Sequence, residues 1–346
     1  MNTHTPATEI IKAFLLANPH LPSRTIARKL YEDHAGMWPS IEAIRNSVRA
    51  HRGASGDPKR GYRKTIAPPS PLTTDMGVIE RNPFYCPPSD EKDWKPYFVA
   101  VSTEDKTLLL SDPHFPYHNV KAITSAIGEG KRQGVSRIIL NGDTIDFYQI
   151  SRFNKDPRMR QLVSTPEKDG ELDMVKDFLY ELRDHFPTAE IIWKDGNHDE
   201  RLFAYLMAHA KELIGLESLT IPALLDFLPL HIEYVTDKRP ILLGKNNIIH
   251  GHEYPMAVIG PVNPARGLFL RAKTNAVCGH HHQVSEHSEP NLKGELIACW
   301  STGCLCELHP PYMPLNKWAH GFAIQTTAPD GSFEMDNKKI IDGKKL

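Results

Sequence analysis

The chain has 346 residues, a formal net charge of −1, and 40% hydrophobic residues. This length predicts one large domain with a smaller one beside it, and the hydrophobic fraction suffices for a sizeable core. No apolar stretch approaches the roughly 20 residues that span a bilayer, and the first apolar run is too short for a signal peptide. We therefore expect no membrane partner and a cytoplasmic location.

The charge is unevenly distributed along the chain. Residues 1–65 contain 11 Lys and Arg against 5 Asp and Glu, so a basic arm precedes an acidic body. The cysteines are odd in number and lie mostly in or beside apolar runs, which indicates reduced, buried thiols rather than a disulfide framework. These cysteines are Cys86, Cys278, Cys299, Cys304 and Cys306.

Residues 1–54 predict a small all-α domain. Helical spacing of apolar residues indicates a first helix capped by Thr8 and ending at Asn18, a second over Arg24–Tyr31, and a third that begins after Ser40. Arginines at positions 45, 49 and 52 are expected on the outward face of the third helix. Three helices with such a stripe resemble a helix-turn-helix module, whose basic residues pair with DNA phosphates.

A charged helical bundle serves equally well for protein docking, so DNA binding stays an alternative at this stage. The basic segment Lys59–Lys64 favours nucleic acid, because a basic segment with one aromatic ring suits a phosphate backbone. Residues 55–100 are rich in proline and predict an extended, semi-rigid linker.

Residues 101–346 predict a mixed α/β domain. In the first half, strands alternate with helices, which indicates β-α-β units, whereas the second half is mostly strand, which favours a sandwich. The strand candidates are Thr107–Ser111, Arg137–Asn141, Glu190–Lys194, Ile241–Ile249, Asn275–Cys278, Leu296–Trp300 and Phe322–Thr326, and the helix candidates are Val120–Gln133, Leu172–His185 and Arg201–Leu213.

Five polar clusters follow apolar, strand-like runs. Together they offer carboxylate, amide and imidazole groups, which suit manganese, iron, zinc, nickel or cobalt better than magnesium or calcium. The set therefore indicates two divalent transition-metal ions. The clusters are Asp112-Pro113-His114, Gly142-Asp143-Thr144-Ile145-Asp146, Gly196-Asn197-His198-Asp199, His250-Gly251-His252 and Gly279-His280-His281-His282.

Spacing adds detail to the metal-site hypothesis. Asp112 and His114 are two residues apart, as in an extended segment whose alternate side chains point the same way. Asp143 ends the next strand, directly after Gly142, and a carboxylate there could bridge two ions.

The ordered set of motifs resembles the calcineurin-like metallophosphoesterases over about residues 105–326. The resemblance implies a four-layer αββα sandwich with the dimetal centre at the carboxyl ends of the strands. It implies one ion held by Asp112, His114 and His282, a second held by Asn197, His250 and His280, and Asp143 as the bridge. His198 would be the catalytic histidine and Asp146 its orienting partner.

The implied activity is hydrolysis of a phosphate ester by metal-activated hydroxide, with His198 protonating the leaving oxygen. We expect Asp199 and Glu200 to support the site or start a helix rather than to bind metal. His252, His281 and His118 are ambiguous, since each can line the pocket or be structural.

The substrate depends on residues outside the motifs. Phosphoprotein phosphatases of this superfamily carry Arg and Glu where this chain has Phe147 and Asp199, which weakens a protein-phosphatase interpretation. Arg152 and Arg158, with His252, are candidate substrate contacts, and with the basic residues 1–65 they favour a nucleic-acid phosphodiesterase or nuclease. The alternatives are a phosphomonoesterase for a phosphometabolite or phosphoprotein, and a binding scaffold with a structural metal site.

Overall fold

The computed structural model describes residues 6–18, 21–34, 36–52, 94–152, 170–255 and 262–345. The chain divides into two compact units, Met1–Lys92 and Asp93–Leu346. Among the described residues, no helix combines the length and apolar character needed to cross a bilayer. Cys86, the segment Lys59–Lys64, Arg158 and most of the predicted linker lie outside the described residues.

The first unit contains the three predicted helices: α1 (Pro6–Ala17), α2 (Ser23–Asp33) and α3 (Ile41–His51). The Ser40 side chain caps α3 by accepting a hydrogen bond from the Ala43 backbone N–H at 3.2 Å, as its position predicts. Helix α1 begins at Pro6, so the prediction that Thr8 caps it is wrong. The buried residues that hold the helices together are Ile11, Leu15, Ile26, Ala27, Leu30, Ile44 and Val48.

Arg52 departs from its predicted outward position. Its Nη2 donates to the Leu21 carbonyl at 2.6 Å and its Nη1 donates to Ser23 Oγ at 3.2 Å, so the guanidinium braces the start of α2. Arg45 forms an ion pair with Glu42 at 2.8 Å. The freely exposed part of the predicted stripe on α3 is therefore Arg49.

The second unit is built from two sheets. One has seven strands in the order β13-β12-β11-β2-β3-β4-β5, and the other has six in the order β1-β6-β7-β8-β10-β9. The strands are β1 (Tyr97–Val99), β2 (Asp105–Leu110), β3 (Arg137–Asn141), β4 (Glu190–Lys194), β5 (Ile232–Val235), β6 (Ile241–Leu243), β7 (Asn246–Ile248), β8 (Ala276–Cys278), β9 (Val284–Pro290), β10 (Leu296–Thr302), β11 (His320–Thr327), β12 (Phe333–Ile341) and β13 (Lys344–Lys345).

Helices cover the outer faces of this pair of sheets. The described helices are α4 (Val120–Gln133), α5 (Glu171–His185), α6 (Arg201–His209), α7 (Ile221–Leu224), α8 (Phe227–Leu230) and α9 (Pro264–Ala272), with 3₁₀ turns at Tyr148–Ile150, Lys211–Leu213 and Glu217–Leu219.

Alternation along β2 shows the layers. Leu108 and Leu110 pack with α4 and α5, whereas Leu109 faces the other sheet and packs with Ile241 and Val277. On the far side, Leu268 of α9 packs on the six-stranded sheet. This is the predicted four-layer αββα sandwich.

The parallel pairing of β2, β3 and β4 positions the motifs. Leu110 pairs with Leu140, and Leu140 pairs with Trp193, so the three strands end at the same edge of the sheet. Each strand is followed directly by one of the predicted polar clusters.

Some elements differ from their predictions. The single strand expected over Ile241–Ile249 is the antiparallel pair β6–β7, because Gly244 adopts φ +58° and reverses the chain. Helix α6 ends at His209 and not at Leu213. Strand β1 lies before the predicted boundary at residue 101 and pairs with β6.

One buried polar contact joins the two sheets. Asn246 Nδ2 on β7 donates to Gln325 Oε1 on β11 at 2.8 Å, and Gln325 Nε2 donates to Thr327 Oγ1 at 3.0 Å and to the Leu243 carbonyl at 3.2 Å. Asn246, Gln325 and Thr327 are fully buried. An unsatisfied polar group at this depth is costly, so the contact fixes how the sheets align.

We expect Gln325→Leu to lower the free energy of unfolding by about 1–3 kcal/mol, because the Asn246 amide and the Leu243 carbonyl lose their partner. Urea unfolding of Gln325→Leu, Asn246→Leu and the double variant measures this effect. The double variant should cost less than the sum of the single variants. Strict additivity would contradict a direct stabilising contact.

Candidate metal centre

The backbone of the predicted ligands is unusual. Five of the seven have φ in the left-handed region: Asp112 at 56°, His114 at 50°, Asp143 at 51°, His280 at 62° and His282 at 55°. The extended geometry predicted for Asp112 and His114 is therefore wrong. Non-glycine residues adopt this region at a cost, and such residues concentrate at functional sites.

Asp112, His114 and His282 form one group. His282 Nε2 lies 3.1 Å from Asp112 Oδ1 and 3.2 Å from His114 Nε2, and His114 Nε2 lies 3.8 Å from Asp112 Oδ1. All three residues are at most 6% exposed. Two imidazole nitrogens and one carboxylate oxygen thus converge on one small volume, as the resemblance implies for the first ion.

Asp143, His250 and His280 form a second group, in which the ligating atoms lie within 4.8 Å of one another. His250 Nε2 is 3.3 Å from Asp143 Oδ2. Among the described residues, no hydrogen-bond partner is found for the buried atoms His280 Nε2 and Asn197 Oδ1. Buried polar atoms normally have a partner, so these two are candidates for metal coordination.

Asp143 lies between the two groups. Its Oδ2 is 3.7 Å from His114 Nε2 and 3.3 Å from His250 Nε2, while its Oδ1 accepts a hydrogen bond from the His198 backbone N–H at 2.7 Å. The donor set of carboxylate oxygens, imidazole nitrogens and one amide oxygen fits two divalent transition-metal ions.

Two glycines permit this close approach. A Cβ atom at Gly196 would overlap the Asp143 carboxylate and backbone nitrogen, and a Cβ atom at Gly279 would overlap Asp112 Oδ2. The glycine that precedes each of these motifs is therefore a steric requirement of the site.

Asp146 connects two histidines. Its Oδ2 lies 3.0 Å from His114 Nδ1 and 3.1 Å from His198 Nδ1. Burial alone would raise the pKa of Asp146, but His198 and the hydrogen bonds to both imidazoles outweigh it, and the pKa is lowered. Asp146 is thus a carboxylate near neutral pH, and it can orient both rings.

Arg201, the first residue of α6, was not predicted as a site residue. Its Nη1 donates to the Asp146 carbonyl at 2.7 Å and to Asp146 Oδ1 at 3.2 Å, and its Nη2 lies 2.9 Å from His198 Nε2. A guanidinium only donates, so this geometry assigns the lone pair to His198 Nε2 and the proton to Nδ1. No motif marks this arginine.

Asp199 is placed as expected for a supporting residue. Its Oδ2 accepts from the backbone N–H groups of Asp143 and Gly196, both at 2.8 Å, and its Oδ1 accepts from Ile145 at 3.3 Å. It fixes the turns after β3 and β4 relative to each other. Glu200 lies 3.3 Å from His252 Nε2.

Burial and neighbouring charges shift the pKa values of His280 and His250, the two histidines of the second group, in opposite directions. Burial, with the neighbouring His250, lowers the pKa of His280 to about 3, so its imidazole is neutral near pH 7. For His250, burial is outweighed by Asp143 and Asp112, and the pKa is raised to about 10. A metal ion would replace this proton as the partner of the two carboxylates.

The three candidate substrate residues differ in position. The His252 ring lies 5.3 Å from that of His250 and 6.4 Å from that of His280, at the rim of the second group. Arg152 is exposed just after the 3₁₀ turn Tyr148–Ile150. Arg158 lies outside the described residues.

The remaining ambiguous side chains pack near the site. The His118 ring stacks on Phe115 at 4.1 Å, and the His281 ring lies 5.0 Å from that of His280. Cys306, interpreted from the sequence as a buried thiol, is free, with its Sγ 3.9 Å from His282 Nδ1. The Cys306 thiol therefore contacts the ring of His282, a predicted ligand, on the side of Nδ1.

No family profile and no curated protein matches the chain.

The solved structures that are similar to the chain include the following three. Vacuolar protein sorting 29 from Cryptosporidium parvum has 13% identity and a TM-score of 0.37, over 70% of this chain and 95% of that one. YfcE, a phosphoesterase from E. coli, has 16% sequence identity and a TM-score of 0.33, over 67% of this chain and 98% of that one. A dimetal phosphatase from Danio rerio has 11% sequence identity and a TM-score of 0.35, over 70% of this chain and 98% of that one. At these values the likeness assigns no substrate or activity to this chain.

Glu171, the first residue of α5, is a fully buried carboxyl group that sequence patterns did not indicate. Burial, and then the charge of Asp146, raise the pKa of Glu171 to about 8. In the unfolded chain a glutamate has a pKa of about 4.3, so between the two pKa values the folded form retains a proton that the unfolded form has released. Stability should therefore fall as pH rises between these two values.

We expect Glu171→Gln to remove this loss, so that its melting temperature exceeds that of the unaltered protein by a margin that grows from pH 5 to pH 8. Glu181→Gln, on the exposed face of the same helix, is the matched control. Thermal unfolding at several pH values measures the difference. A constant margin would contradict a carboxyl group that is protonated in the folded state.

Proposed function

We propose that the chain is a dinuclear metal-dependent phosphoesterase that acts on phosphodiesters of nucleic acid. The observation that carries the hydrolase proposal is the position of Asp143, whose single Oδ2 faces His114 of one ligand group and His250 of the other. A shared carboxylate is what holds two ions close enough to act together on one phosphoryl group.

In this proposal Asp112, His114 and His282 hold one ion, and Asn197, His250 and His280 hold the other. Manganese is the preferred ion, with iron, zinc, nickel or cobalt as substitutes. When bound, such a pair supplies an activated water and offsets the charge of the phosphoryl oxygens.

His198 would protonate the leaving oxygen. The Asp146 carboxylate pairs with His198 Nδ1 and so leaves Nε2 as the ring nitrogen that can face the substrate. A protonated Nε2 can donate the proton that a leaving alkoxide needs. Arg201 contacts Nε2 only while that nitrogen is unprotonated. Once Nε2 carries a proton, the Arg201 side chain, still held at the Asp146 carbonyl, is available to pair with a phosphoryl oxygen.

The first unit supports the nucleic-acid part of the proposal. Arg24 and Arg28 of α2 and Arg49 of α3 are exposed. A surface cleft of about 400 Å³ is lined by Arg24, Arg28, Tyr31 and residues 39–42, which include Glu42. Arginines beside an aromatic ring suit a phosphate backbone and its bases.

A substrate panel with added Mn²⁺ tests the chemistry. We expect the unaltered chain to cleave bis-p-nitrophenyl phosphate and DNA or RNA, and His198→Ala to lower turnover by about 10² to 10⁴ while keeping its metal. Asp143→Ala should instead lower the metal content, measured by elemental analysis, from roughly two ions per chain. His209→Ala, at the other end of α6, is the control.

Hydrolysis of monoesters alone would exclude the phosphodiesterase and favour a phosphomonoesterase. Full activity of His198→Ala would exclude the proposed acid. Absence of turnover in a fully metal-loaded chain would favour the scaffold alternative.

The role of the first unit is tested by Arg24→Gln/Arg28→Gln/Arg49→Gln. We expect weaker binding to every nucleic-acid sequence and a shallower dependence of affinity on salt, because each lost phosphate contact lowers the slope by about 1. Fluorescence anisotropy at several salt concentrations measures both quantities. The control neutralises three exposed lysines of the second unit, as Lys273→Gln/Lys293→Gln/Lys344→Gln. Equal effects of both triple variants would contradict a specific role for the helical unit.

A further inference from the structure

The connection between β10 and β11 carries aromatic rings to the metal centre. The Trp318 ring meets the ring of the predicted ligand His282 edge to face, with centroids 4.2 Å apart. The Tyr312 ring lies 6.4 Å from Trp318 at an interplanar angle of 65°. Residues 303–319 thus form a loop, here called the aromatic loop, that continues the wall of the site outward.

The aromatic loop is braced from within. Asn316 Nδ2 donates to the carbonyls of Leu308 at 2.6 Å and Met313 at 2.8 Å, and Asn316 Oδ1 accepts from the Trp318 backbone N–H at 2.9 Å. One asparagine thereby sets the positions of the residues that flank both rings. A ring held in place before binding loses little conformational entropy on stacking.

The loop is also anchored to the ligand backbone. The Leu305 N–H donates to the Asp112 carbonyl at 3.1 Å, and the Glu307 N–H donates to the Tyr117 carbonyl at 2.8 Å. The aromatic rings and the first ligand group therefore belong to one hydrogen-bonded framework. Their spacing is fixed by the fold.

Tyr312 is not part of the hydrophobic core. The residue is 58% exposed. Holding it in one position on a folded loop costs conformational entropy. Single exposed aromatic residues are common on protein surfaces. An exposed ring on a braced loop, with a second ring between it and a predicted metal ligand, has the geometry of a stacking surface beside a reactive centre.

We propose that Tyr312 and Trp318 form a stacking subsite for a nucleobase attached to the phosphate that the metal centre cleaves. The inference rests on the proposed phosphodiesterase activity and names its substrate class as nucleoside-bearing diesters. Stacking suits this role because every base presents a flat π-face, so a platform of this kind binds bases with little sequence preference.

Two chromogenic diesters with the same leaving group test the subsite: thymidine 5′-(p-nitrophenyl phosphate) and methyl p-nitrophenyl phosphate. We expect the unaltered protein to prefer the thymidine ester in kcat/KM. Tyr312→Ala should lower this preference roughly 10-fold, the size of a typical lost base-stacking contact. Tyr312→Phe, which keeps the ring, should retain the preference.

Leu315→Ala is the control within the same loop, because Leu315 is 94% exposed and should leave the preference unchanged. An unchanged preference in Tyr312→Ala, or no preference in the unaltered protein, would overturn the subsite. Since the measured quantity is a ratio between two esters, a general loss of folding or of metal does not imitate the expected result.

If neither diester is hydrolysed, the phosphodiesterase proposal fails, and the subsite is decided by binding alone. Equilibrium dialysis of thymidine 5′-monophosphate and of methyl phosphate with the Mn²⁺-loaded protein provides this measurement. Weaker binding of the nucleotide alone in Tyr312→Ala supports the subsite, and equal changes overturn it. Competition by a dinucleotide and by a longer oligonucleotide distinguishes small nucleotide esters from nucleic acid.

Discussion

The parallel pairing of β2, β3 and β4 is the constraint on which the candidate site depends. It makes three strands end at one edge of the sheet. Asp112, Asp143 and Asn197 each lie within a few residues of the end of one of these strands, and are therefore brought to the same edge. Asp199 then connects the turns by accepting hydrogen bonds from three backbone N–H groups. The fold thus brings carboxylate oxygens together at close range, and cations can offset the repulsion that results.

The sequence predicted the elements whose residues are buried on both faces. Arg137–Asn141 and Glu190–Lys194 are apolar runs and match their strands residue for residue. Strands β9 and β12 were missed because they are largely polar and half exposed, and their pairing is set by neighbouring strands. Motif order indicates a candidate ligand set, yet the left-handed backbone of five of these predicted ligands has no counterpart in residue type or spacing.

Arg201 and Glu171 show a second limit of sequence analysis. Each acquires its role from a neighbour distant in sequence, Asp146 in both cases, and neither lies in a motif. The same holds for Tyr312, whose position depends on the folding of the aromatic loop around Asn316. Motifs identify groups that bind a reacting centre directly, whereas the residues that orient them or shape the pocket emerge from packing.

The predicted ligands come from both sheets. Asp112, Asp143 and Asn197 follow strands of the seven-stranded sheet, whereas His250, His280 and His282 follow β7 and β8 of the six-stranded sheet. Ions held between them would cross-link the two halves of the sandwich at one end, much as a disulfide would. Occupancy and unfolding are then thermodynamically linked, and chelation should weaken the resistance of the whole second unit to heat and proteases as well as its chemistry.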